Sequence, residues 1–298
     1  MLLPPVSKGL AIRSLGVLFG CFYAVAVPAD SGRQNPVGEP KLSAHGNVEM
    51  VYVSEGTFTM GAIYIDLGQT KFGKDEDVTE EGAFVTRRIG RSTTTYHNDE
   101  GPKHSVYLDG YWIGKNLVTV HEFREFTKAT HFKFDWKTNQ PEWGWLDSHP
   151  MVMVTWDQAR AFCKWAGGDL PTEAQWEKAA RGTDEREYPW GNDWDPSRLW
   201  SGHPFATAPI GSCPSGASPY GCLDMAGNAW EWCLDWYGMD YVGLPQTNPK
   251  GVEKGDTRVI RGGSFYLLGP MNYRCAYRYA ADPKAGACVY GFRLALPK

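Results

Sequence analysis

Apolar and polar residues alternate through positions 48–60, VEMVYVSEGTFTM, on either side of Ser54-Glu55-Gly56, and this alternation predicts a β-hairpin. A second alternating run, SVYLDGYWI at 105–113, predicts a further strand. Between the two, residues 63–97 are polar and charged, with KDEDVTEE followed by Arg87, Arg88 and Arg91, which predicts a long surface insertion. The period then changes from two to 3.6. Thr119 opens TVHE with Glu122 placed for a capping box, and Val120, Phe123 and Phe126 share one face. Thr155 opens TWDQ, with Trp156, Ala159, Phe162, Cys163 and Ala166 as the buried stripe and Gly167-Gly168 as the stop. Thr172 opens TEAQWEKAARG, with Trp176 and Ala179 facing inward and Gly182 closing the helix. Beyond YPWGN at 188–192 no helical period survives, and short strands joined by glycine turns run to Lys298. Three helices among many short strands predict an α+β domain over 48–298.

The start of the chain has a different pattern. Lys8 and Arg13 precede an apolar run at 15–27, and small residues follow at 27–29. Residues 1–29 therefore read as a signal peptide and 30–47, with Pro36 and Pro40, as a linker. The run is too short for a stable membrane span. Cys21 ends a lipoprotein-like LFGC, which would anchor the exported chain by lipid. Net charge is −4, so there is no basic footprint for nucleic acid. Export implies an oxidising compartment in which cysteines pair. Six cysteines follow position 29; Cys213 and Cys222 bracket a Pro/Gly/Ser loop and form the expected local bridge. No Cys or His spacing suits zinc, and no Ser-His-Asp grouping emerges.

Residues 220–236, YGCLDMAGNAWEWCLDW, concentrate oxygen ligands and tryptophans. Asp224, Asn228 and Glu231 with the carbonyls of Ala226 and Ala229, relieved by Gly227, would make a calcium cage of hard oxygens. The competing reading is a set of local hydrogen bonds from Asp224 and Asn228 to neighbouring amides.

The ordered phrases HPMVMVTWDQARAFCKWAGGDLPTEAQWEKAARG, YPWGN, YGCLDMAGNAWEWCLDWY, RVIRGGSF and YGFRLA resemble the formylglycine-generating enzyme, or sulfatase-modifying factor, family over 48–296. The resemblance implies that family's C-type-lectin-like fold, with few helices and much loop. It implies a structural calcium at the positions just named, and a cleft bordered by Trp230, Ser264 and Arg278. Members that make formylglycine carry two copper-binding cysteines just after GGS. Here Phe265, Tyr266, Leu267, Leu268, Gly269, Pro270 and Met271 stand there, and none of them offers copper a thiolate. Cys163 and Cys275 match single halves of two family disulfides whose partner positions hold Leu294 and Ala180.

Formylglycine generation is thus excluded as the expected activity, and the redox metal is left unassigned. Two readings follow. In the first, the chain is an exported, oxidoreductase-like accessory in maturation of a small-molecule or peptidic product, like the members that mature the pyoverdine chromophore. In the second it is a non-catalytic binding module, either a receptor like the family's retroelement-diversified variable proteins or a pseudo-enzyme, that uses the surface over 265–290, where Tyr266, Tyr273, Tyr277, Tyr279 and Tyr290 would form a rigid aromatic paratope. Arg278 would meet a carboxylate or aromatic ligand; its competing role is an ion pair with a buried carboxylate.

Overall fold

A computed structural model describes residues 41–62 and 98–298, with the backbone of three strands between them. The signal segment, Cys21 and residues 30–40 of the linker lie outside the described residues, as do the side chains of the charged insertion. Strand β1 (Lys41–Leu42) pairs with Met50 and Glu49, and the Ser43 amide donates to the Val48 carbonyl. The domain therefore begins before Val48, and the end of the expected linker is a sheet edge.

The alternation at 48–60 does form strands, but not a hairpin. β2 (Glu49–Val53) pairs antiparallel with β8 (Tyr111–Gly114), and β3 (Gly56–Met60) pairs with β7 (His104–Leu108). Register runs unslipped from Met50↔Gly114 through Val53↔Tyr111 and Gly56↔Leu108 to Met60↔His104. The two alternating runs are thus opposite sides of one ribbon, bent at 54–55 and 109–110. Gly110 lies at the bend, where a Cβ would stand 2.1 Å from the Tyr52 hydroxyl and displace it. The ribbon closes through the insertion, whose strands β4 (Glu76–Glu81), β5 (Phe84–Ile89) and β6 (Ser92–His97) pair with one another. Its stem is joined by the Ala62 amide donating to the Glu100 carbonyl at 2.9 Å.

Helices α1 (Val120–Thr130), α2 (Trp156–Trp165) and α3 (Glu173–Arg181) each start with a complete capping box, from Thr119, Thr155 and Thr172. Each cap satisfies amides that the first helical turn cannot, at about 1 kcal/mol. Four further strands form the second sheet, in the order β11 (Arg278–Ala281), β10 (Arg258–Arg261), β9 (Trp230–Trp236), β12 (Tyr290–Gly291). β13 (Ala295–Pro297) joins the ribbon's sheet beside β8.

Successive side chains on a strand point to opposite faces, so the second sheet has two distinct surfaces. One carries Trp230, Trp232, Ile260 and Ala281, with Tyr277 just before β11, against Phe123 and Phe126 of α1 and Trp156 and Phe162 of α2. The other carries Cys233 and Val259 against Trp176 and Ala179 of α3. α3 departs from a simple amphipathic pattern because Glu173, Glu177, Lys178 and Arg181 are buried as well. Lys178 Nζ donates to the carbonyls of Ser54 and Gly56, both at 2.8 Å, and so holds the bend in the ribbon. Desolvation pulls its pKa down to about 8.

All six described cysteines are free, and the expected Cys213–Cys222 bridge is not formed. Cys222 is buried in the α3-side core, whereas Cys213 starts a 3₁₀ turn and keeps partial exposure. Burial raises the Cys222 and Cys275 thiols to about 11 and about 12, away from thiolate chemistry. Cys288 is the exposed described thiol. Iodoacetamide is expected to label it first, and Cys288→Ser to remove that fast fraction in a mass-spectrometric time course. Fast labelling of Cys163 or Cys275 instead would contradict the packing. No helix among the described residues is long and apolar enough to cross a membrane.

Candidate functional site

The turn after β10 is set by Gly262 and Gly263, at φ 91° and 74°. A Cβ on Gly263 would meet the Asn272 carbonyl at 2.7 Å and the Tyr273 ring at 2.8 Å. The Tyr273 hydroxyl donates to the carbonyls of Ser264 and Leu267, at 3.0 and 2.6 Å. Tyr273 is 1% exposed, so it fastens this loop from beneath and is no part of a binding surface. The Phe265 amide donates to the Asn228 carbonyl at 2.9 Å, which sets the loop beside the start of β9. Ser264 is buried at this junction.

Above it lies the open end of the aromatic face. Trp230 packs against Tyr277 at 5.7 Å between ring centroids and against Tyr279 at 5.9 Å. Tyr290 stands edge-on to Trp232 at 5.2 Å. Trp230 and Tyr277 are buried, Tyr279 is 51% exposed and Tyr266 is 64% exposed. Trp230 and Tyr277 therefore meet in the packed face, and Tyr266 stands exposed on the neighbouring loop.

Arg278 does not join them. Its neighbours Tyr277 and Tyr279 face the aromatic side, so it points to the α3 side. There its Nε and Nη2 grip the Glu173 carboxylate at 2.7 and 2.8 Å, and Nη1 donates to the carbonyls of Asp99 and Gly238. Arg261 lies beside it, paired with Glu177 and donating to the carbonyls of Ala276 and Tyr277. Arg278 is a structural ion-pair residue, 2% exposed, with four of its five N–H donors already bonded inside the domain. The buried ion layer of Glu173, Glu177, Arg261 and Arg278 escapes a reading by helical stripe. Its one sequence signal is the alternation around Arg278.

The expected calcium ligands have other partners. Arg293 Nε and Nη2 reach Glu231 Oε2 and Oε1 at 2.5 and 2.6 Å, and Trp176 Nε1 donates to Oε2 at 2.9 Å. Arg293 also donates to the carbonyls of Gly114 and Leu223. Asp224 Oδ2 accepts from the Gly211 amide at 2.7 Å. The Asn228 carboxamide is bonded to both main-chain groups of Ala208. These donors do not fit a calcium cage as placed, because the Glu231 carboxylate is already matched by a guanidinium. Burial raises the pKa of Asp224 and of Glu231, with Arg293 opposing it in both. Ala226 and Ala229 remain buried in the same turn. Among the described residues no three His, Cys, Asp or Glu side chains converge as a metal site.

Residues 37–298 match the sulfatase-modifying factor enzyme 1-like domain. The chain belongs to the sulfatase-modifying factor family. A formylglycine-generating enzyme of Thermomonospora curvata is 31% identical, over 87% of this chain and 96% of its own length. A hercynine oxygenase of Mycolicibacterium smegmatis is 31% identical over 66% of this chain and 55% of its own length. The fold is shared with PvdO from Pseudomonas aeruginosa, at a TM-score of 0.69 and 23% identity over 89% of this chain and all of that one. The family's C-type-lectin-like α+β architecture is thus the architecture of this chain.

Proposed function

We propose that this family member is exported, binds a small-molecule or peptide substrate at the Trp230–Tyr279 end of the aromatic face, and serves in its oxidative maturation without making formylglycine. The carrying observation is that residues matching the family's cleft are present while its thiols are not. By resemblance Trp230 and Ser264 match positions that border the family's cleft, yet the first cysteine after Ser264 is Cys275, buried at 1% on the α3 side. The name of the hercynine oxygenase relative supports an oxidative role. The test is oxygen uptake by the purified protein, with copper or iron, in the presence of metabolites from genetically linked biosynthetic genes. Uptake with one of them is expected; none with all of them overturns this reading.

A non-catalytic binding module is favoured by one other observation. Phe205, Tyr266 and Leu268 are 81%, 64% and 76% exposed. They sit on adjoining loops, joined by the His203 and Gly202 amides donating to the Phe265 and Leu267 carbonyls. Exposed apolar side chains grouped in this way mark interaction surfaces. A reverse transcriptase gene next to a near-copy of the coding sequence for 264–294 would select this reading over the first.

A further inference from the structure

The proposed binding end of the aromatic face has an unusual charge environment. Its nearest arginine in sequence, Arg278, has its side chain committed on the opposite side of the sheet. Burial first, and then the Glu100 and Asp99 carboxylates, raise the pKa of the Tyr277 hydroxyl, against a weaker pull from Arg274. Arg274 itself is gripped by Glu100 at 2.7 and 2.5 Å. Cys288, two residues before Tyr290, exposes its thiol. Glu100 and Asp99 are themselves buried and Arg258, on the same face, is stacked on the Trp156 and Trp236 rings, so the open side of this end presents phenol rings and the exposed Cys288 thiol.

Tyr279 carries the accessible surface. Its ring lies 30° from the plane of Trp230 at 5.9 Å, so Trp230 backs one face, and half of the side chain remains in solvent. A backed, half-open aromatic ring is a stacking platform for planar groups, and its negative π face favours cations over anions. Tyr277 and Tyr290 lie on the same side of the sheet, Tyr277 against Trp230 at 5.7 Å and Tyr290 against Trp232 at 5.2 Å.

We infer that Tyr279, backed by Trp230 and flanked by Tyr277 and Tyr290, is the stacking subsite of this chain, and that it takes a planar ring bearing no negative charge. The inference rests on the reading of this cleft as a ligand site and names the class of ligand it accepts.

Three probes with the same ring test it by calorimetric titration of the full chain: benzyltrimethylammonium, benzyl alcohol and phenylacetate. The first two are expected to bind at least about threefold more tightly than phenylacetate, the scale of an exposed cation–π preference. Tyr279→Ala should weaken binding of the first two about tenfold, and Tyr279→Phe should restore it, because the ring and not the hydroxyl stacks. Bound benzyltrimethylammonium should also slow alkylation of Cys288 by iodoacetamide. If phenylacetate binds as tightly as the cation, the charge preference is overturned while the cleft remains a ligand site. If no probe binds, or if Tyr279→Ala changes nothing, the stacking subsite is overturned. The maturation reading is decided separately, by oxygen uptake.

Discussion

Replacing Arg293 by leucine is expected to destabilise the domain by about 3–5 kcal/mol, the cost of leaving one partner of a buried ion pair alone. Glu231 would retain the Trp176 indole N–H but lose its bidentate partner inside a fully buried site. The carbonyls of Gly114 and Leu223 would lose their donors as well. Against a typical total of about 5–15 kcal/mol this is close to unfolding. Glu231→Leu should cost a similar amount, and the double replacement should recover much of the loss, since two apolar side chains leave no unmatched charge. Denaturant titration of the four proteins measures the coupling. Additive losses with no recovery would show that the pair is not the organising interaction. Chelation should leave the wild-type melting temperature unchanged. A fall of several degrees, reversed by calcium, would return the site to the family's metal.

Asp235→Asn should act in the opposite direction and depend on pH. Asp235 is buried, accepts from the Glu173 amide at 2.9 Å, and stands beside the Glu173 carboxylate. Burial first, and then Glu173, push its pKa up to about 7, against the pull of Arg278 and Arg258. The unfolded value is about 3.9, so between roughly pH 4 and 7 the folded state holds the extra proton and stability falls as pH rises. Above about pH 7 the cost is constant. Asparagine keeps the acceptor and removes the charge, so it should stabilise the domain at pH 8 by about 1–3 kcal/mol and do little at pH 5. Thermal melts at the two values decide it. Greater loss at pH 8 than at pH 5 would mean that Arg278 and Arg258 need the anion.

Signals confined to a few neighbouring residues were legible in the sequence. The three capping boxes need only a threonine and a Glu or Gln three positions on, and all three formed. The ordered motif phrases gave the family and its architecture. Long-range pairing was harder to read. Alternation at 48–60 reports strands but not their partners, so Ser54-Glu55-Gly56 looked like a hairpin turn when it is a bend in a ribbon. The Cys213–Cys222 spacing carries no information about burial. At the site, Trp230 and Tyr277 are each legible as candidates but not as a contacting pair, while Tyr273 and Arg278 are equally aromatic or polar in sequence and face inward in space. Strand parity could have separated Arg278 from Tyr277. The pairing of Arg293 with Glu231 spans 62 positions and has no local signature, although both residues lie in the phrases that mark the family.

The unslipped register of the ribbon has a consequence for how the chain tolerates change. Residues 62 and 100 are already hydrogen-bonded across the ribbon's end, and Arg274 and Arg278 hold Glu100 and Asp99 from the body of the domain. Everything between 63 and 97 therefore hangs from a stem that is anchored without it. In evolutionary terms this is a graft point, where length and composition can drift while the domain keeps its pairing.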